Sequence, residues 1–146
     1  MVALSLVAAD PMAENESMPE MTLNTVQVLI VDDQEPFLSA ARLVVELANG
    51  FQVVGEAKTG EEAVELAAQL DPDLILMDVN LPGIDGLEAT RRILDSKEDS
   101  SVLVLSTYEA GEYEPRALAA GAFAFISKSE FGPDRLEEAW AQRPTS

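Results

Sequence analysis

Three carboxylates, a few hydroxyls and one lysine stand in this chain where they could do chemistry together. Asp32 and Asp33 follow the apolar run VQVLIV, Asp78 follows LILM, Ser106 and Thr107 follow VLVL, and Ser127 and Lys128 follow AFAFI. Taken singly, an Asp behind an apolar run is an ordinary helix cap or turn residue. Brought to one place, three acids repel and raise one another's pKa, and a divalent cation answers that cost. Magnesium suits such donors, because it takes one or two carboxylates together with water and phosphate oxygens. The chain offers few other tools. It has no Cys and no His, which excludes thiolate metal sites, disulfides, Ser-His-Asp triads, imidazole bases and an internal phosphohistidine.

The elements that must position these residues are legible from apolar patterning. Short apolar runs recur every twenty to thirty residues: Val26 to Val31, Phe51 to Gly55, Leu74 to Met77, Val102 to Leu105 and Ala122 to Ile126. Between them lie stretches of helical period. Leu38, Ala41, Val45 and Ala48 share a face, as do Ala63, Leu66, Ala67 and Leu70, and three further amphipathic stretches follow. Five βα units with near-continuous apolar strands imply a parallel sheet covered on both faces, a doubly wound α/β fold. Thr59 and Glu62 read as a capping box, Pro72 as a helix stop, Pro133 as a first-turn proline, and Pro115 as an early residue of the fourth helix. Open sheets of this kind bind ligands outside the carboxyl ends of their strands, which is where the acids, hydroxyls and lysine fall.

Composition bounds the rest. With 27 acidic and 9 basic side chains in 146 residues, the net charge is −18, which argues against direct nucleic-acid binding. No apolar run approaches the ~20 residues that span a bilayer, so no membrane role is expected. Residues 1–23 carry four acids, no basic residue and two prolines, and are expected to be a disordered tail. Its VALSLVAA stretch is short and lacks a basic flank, so it is read as tail rather than as a secretion signal. The domain is expected over 24–142, with 143–146 as a short C-terminal tail.

The segments IVDDQ, LILMDVNLPGIDGLE, VLVLST and GAFAFISK, in that order, resemble the receiver domain of bacterial two-component response regulators. FQVVGEAKTGEEAVELA and LPGIDGLEATRRI are most similar to receivers of the NarL/LuxR type. The resemblance implies a flavodoxin-like sheet of five parallel strands in the order 2-1-3-4-5 with five flanking helices. It also implies that Asp78 accepts a phosphoryl group. Magnesium, or manganese in its place, would then be held by Asp32, Asp33, Asp78 and the backbone carbonyl of Asn80. Lys128, Ser106 and Thr107 would contact the phosphoryl oxygens, Ser106 and Phe125 would switch on activation, and Asn80 and Tyr108 would tune dephosphorylation. Partners implied are a sensor histidine kinase or histidine phosphotransfer protein and a downstream protein effector, in the cytoplasm. The partner face would be the fourth helix, fifth strand and fifth helix, through which a homodimer could also form.

Each residue also has a plainer reading. Phe125 could be core packing, Ser106 a loop cap, and Asn80 a turn former. The whole could be a phosphorylation-independent interaction module, or the receiver of a LuxR-type DNA-binding regulator. The terminal RPTS reads as a natural end, which favours a stand-alone receiver. No enzymatic turnover of an external substrate is expected. A haloacid-dehalogenase-type phosphatase would need an acid two residues after its nucleophile, where Asn80 stands, and a flavin carrier does not fit these strand ends.

Overall fold

The computed structural model describes residues 25–97, 99–107 and 110–144. The expected tail 1–23, Tyr108 and the last two residues lie outside them. The elements run β1 (Val26–Val31), α1 (Glu35–Leu47), β2 (Phe51–Ala57), α2 (Gly60–Leu70), β3 (Leu74–Asp78), α3 (Gly86–Ser96), β4 (Ser101–Ser106), α4 (Ala110–Ala119), β5 (Ala124–Ser127), a 3-10 turn (Lys128–Glu130) and α5 (Pro133–Gln142). All strand pairs are parallel, in the order β2-β1-β3-β4-β5.

Period-two alternation within uniformly apolar runs produces two cores. Leu29, Val31, Ile75, Met77, Val102, Val104 and Phe125 face a layer that contains Ala63 and Ala67 of α2, Leu87 and Ile93 of α3, and Ala117 of α4. Val28, Ile30, Leu74, Leu76, Leu103, Leu105 and Ile126 face the other layer, with Leu38, Ala41 and Val45 of α1 and Leu136 and Ala139 of α5. Both faces are therefore covered, which is why polar residues do not interrupt the central strands.

Local signals set the element ends. Thr59 accepts from the Glu62 amide at 3.0 Å, and Glu62 reaches back to the Lys58 amide at 2.8 Å, a capping box displaced by one residue on its return bond. Asp85 caps α3 by accepting from the Glu88 amide at 2.8 Å. Pro133 is in the first turn of α5 as expected. Pro115 is not near the start of α4: the helix begins at Ala110, so the proline lies in its interior and removes one helical hydrogen bond. β5 begins at Ala124 rather than Ala122. The Ala122 amide is spent closing α4 on the Ala117 carbonyl at 3.1 Å, after Gly121 turns the chain at φ +110°.

Candidate functional site

The carboxyl ends of β1, β3 and β5 converge. The Asp32 amide extends the β1–β2 ladder by donating to the Ala57 carbonyl at 3.0 Å, and the Val79 amide ties the end of β3 to Leu105 at 3.2 Å. Asp32 and Asp78 are buried and Asp33 is exposed, and carboxylate oxygens of all three lie within 4.8 Å of one another. Lys128, at the end of β5, places its Nζ 2.6 Å from Asp32 Oδ2 and 3.4 Å from Asp78 Oδ1. A cavity of about 380 Å³ opens over this group, lined by Asp33, Gln34, Asp78, Asn80, Thr107 and Lys128.

One ammonium among three acids leaves the charge unbalanced. Burial pushes the Asp78 carboxyl up to about 6, helped by the neighbouring Asp32 charge and opposed by Lys128. Asp32 Oδ1 accepts from the Gln34 amide at 2.8 Å. Its buried Oδ2 faces the Lys128 ammonium as an ion pair but accepts no directed hydrogen bond. Three carboxylates whose oxygens lie within 4.8 Å of one another, offset by a single ammonium, are a donor set that suits a hard divalent cation. The residues present therefore fit such an ion.

Of the residues singled out from sequence, Asp32, Asp33, Asp78, Asn80, Thr107 and Lys128 come together around the cavity. Ser106 is buried at the end of β4, paired in register with Ser127. Phe125 is 6 % exposed within the layer under α2, α3 and α4, and it also borders a separate cavity between α4 and α5. Trp140 packs edge-on against Phe51 and Phe123, at 6.1 and 6.2 Å between ring centres, with the Arg143 guanidinium 3.6 Å over its ring.

Several residues around the site were not legible in advance. Gly86 approaches so closely that a Cβ there would sit 1.9 Å from the Asp78 carbonyl oxygen. Glu61, in the first turn of α2, accepts from the Ile84 amide at 3.2 Å and lies over Gly83, whose φ is +77°. It thus holds the loop that follows Asp78. Phe37 lies under the Lys128 ammonium, 4.4 Å from ring centre to Nζ. The glycines stand in the GIDG stretch, which marks a turn but not the backbone that Gly86 approaches. Glu61 and Phe37 act across long sequence separations that leave no local signal.

Comparison with known proteins agrees with this geometry. The family model described as the response regulator receiver domain matches residues 28–141. The chain is 45% identical over 104 residues to a "Putative transcriptional regulator" of Pseudomonas aeruginosa, covering 71% of this chain and 50% of that protein. It is 41% identical over 103 residues to the response regulator GacA of the same organism, covering 70% and 48%. Among solved structures, a LuxR-family two-component response regulator from Aurantimonas sp. SI85-9A1 superposes with a TM-score of 0.74 at 30% identity, covering 84% of this chain and 90% of that one. The chain thus spans about half the length of the curated relatives it matches. Relatives named as transcriptional regulators do not fit the expected absence of nucleic-acid partners, and the argument from charge bears on these 146 residues alone. Among the described residues, no helix is long and apolar enough to cross a membrane.

Proposed function

The chain belongs to the response regulator receiver domain family of two-component systems, and on that premise we propose that Asp78 accepts a phosphoryl group from a partner's phosphohistidine in a magnesium-dependent transfer. The observation that carries this reading is the meeting of Asp32, Asp33, Asp78 and Lys128 at one sheet edge, three acids against one ammonium. Asp32, Asp33 and Asp78, with the Asn80 backbone carbonyl, would hold magnesium or manganese. Such an ion, when bound, supplies positive charge against the acids and the phosphoryl oxygens.

The chain's own residues account for the remaining chemistry. Asp78, exposed by only 4 % at the end of β3, is held by the sheet rather than by a loop, so its attacking oxygen is positioned before a donor arrives. It must be ionised to attack, and Lys128 favours that form. As the new P–O bond to Asp78 forms, the donor's P–N bond breaks and its electron pair stays with the donor nitrogen. Lys128, Ser106 and Thr107 are the groups we assign to the phosphoryl oxygens. The product carries added charge and acceptor oxygens at the sheet edge. Ser106 would move toward them and Phe125 would follow, altering the face formed by α4, β5 and α5. Asn80 and Tyr108 are assigned to tuning the hydrolysis of the aspartyl phosphate by water, with no turnover of an external substrate.

We take 24–142 as the receiver, flanked by tails 1–23 and 143–146, acting in the cytoplasm between a histidine kinase or phosphotransfer protein and a downstream effector, with self-association through the same face. The half-length match to relatives named as regulators of transcription supports a second reading, in which this receiver governs a DNA-binding segment. Incubation with acetyl phosphate and magnesium followed by intact-mass measurement tests the central reading. A single phosphoryl adduct is expected, absent in Asp78→Asn and in chelator. An unmodified wild-type protein under these conditions would sink it.

A further inference from the structure

The ammonium of Lys128 is held by three groups: Asp32 at 2.6 Å, Asp78 at 3.4 Å and the face of Phe37, whose ring centre is 4.4 Å away. The Lys128 side chain is only 12 % exposed. Phe37 stands in the first turn of α1 and is itself braced by Phe131, with ring centres 6.4 Å apart. It also forms part of the wall of a neighbouring apolar hollow of about 470 Å³, which shares Gln34, Thr107 and Lys128 with the acidic cavity. Lys128 thus lies where the two hollows meet, its ammonium in contact with both the Phe37 ring and the carboxylates.

We propose that Phe37 is a positioning residue for Lys128, its ring face holding the ammonium over the carboxyl end of the sheet. The physical basis is the attraction between a partly desolvated cation and the negative face of an aromatic ring. A lysine is a point charge on a long flexible stem, so its direction is set by what surrounds it rather than by its own shape. The two carboxylates pull Nζ toward the centre of the site, and without a counter-surface the stem would be free to swing into the adjoining hollow. The ring supplies that surface without adding a charge or a hydrogen-bond acceptor that would compete with the phosphoryl oxygens. The contribution to transfer rests on the proposed function, whereas the seating of the ammonium does not.

Two measurements on the intact chain separate those parts. The chain holds only three lysines, Lys58, Lys97 and Lys128, so side-chain carbon-labelled lysine gives a spectrum in which each is resolvable. In the wild-type protein the Lys128 Hε protons are expected to be displaced upfield by the ring current of Phe37. The displacement should vanish in Phe37→Leu, which keeps apolar bulk, and persist in Phe37→Tyr, which keeps the ring. Asp78 phosphorylation by acetyl phosphate should slow about tenfold in Phe37→Leu at saturating magnesium. The magnesium concentration at half-maximal rate should stay unchanged, and Phe37→Tyr should restore the rate. An undisplaced wild-type lysine resonance overturns the proposal, as does a Phe37→Tyr variant that fails as Phe37→Leu does. If the wild-type protein takes no phosphoryl group, the proposed function falls, and the lysine spectrum alone decides whether Phe37 seats the ammonium.

Discussion

Asp78 is a buried acid whose neutral form the fold favours, and this has a consequence for stability that can be measured without any donor. Its carboxyl is raised from 3.8 to about 6, chiefly by burial and then by Asp32. A pKa raised on folding stabilises the native state below the unfolded value, and that contribution is lost as pH rises through about 6. At neutral pH without divalent ions, the charged form therefore costs up to about 3 kcal/mol. Urea unfolding in chelator should find Asp78→Asn more stable than wild type by about 2 kcal/mol near pH 7.5, with the gap closing near pH 4. An equal gap at both values would show that the carboxyl's ionisation is not its source. The glycine beside it is constrained differently. A methyl group at Gly86 meets the Asp78 carbonyl at 1.9 Å, so β3 and the start of α3 must separate. Gly86→Ala is expected to lose about 3 kcal/mol in the same assay. The acids and Lys128 were legible because each ends an apolar run. Gly86 and Phe37 were not, because their importance lies in approaches that the backbone path creates.

At the scale of elements, α4 carries a local weakness. Pro115 sits inside it with its ring exposed, removing one backbone bond from a ten-residue helix. Pro115→Ala is expected to stabilise the protein by about 1 to 2 kcal/mol, the regained helical bond being partly offset by a freer unfolded chain. Amide hydrogen exchange should show the gain concentrated in α4, and uniform slowing across the sheet would count against this local origin. The proline's position was misread from sequence because α4 has a short apolar stripe, with Leu118 left 48 % exposed, so periodicity marks its centre but not its start. The start of β5 was misread for a related reason. Ala122 and Phe123 are as apolar as the strand, yet Ala122 completes the turn out of α4 while Phe123 bonds to Val102 from outside the strand. Hydropathy does not distinguish a ladder residue from a buried turn residue. The central strands, with no such neighbour, were read to within a residue.

The 146 residues carry a net charge of −18. Like charges at this density oppose compaction, and mobile ions screen them beyond about 10 Å at 0.1 M salt. Thermal melts should therefore rise by several degrees between about 0.05 and 0.5 M sodium chloride in chelator. A melting temperature that falls with salt would mean that surface ion pairs, such as Arg42 with Glu56, outweigh the repulsion. The parallel, two-faced architecture was legible at this scale because uninterrupted apolar strands admit few alternatives. The strand order was not contained in periodicity and came only through resemblance.

That order has a consequence in time as well as in space. Asp32 and Asp78 sit on adjacent strands, β1 and β3, whereas Lys128 reaches them from β5, beyond β4. During synthesis the ribosome delivers Asp78 50 residues before Lys128. A nascent chain that has already paired β1 with β3 thus holds its acids together before the ammonium that pairs with them has been made. The edge strand that ends the sheet is also the last of its five strands to be translated, so charge compensation at the site coincides with completion of the sheet.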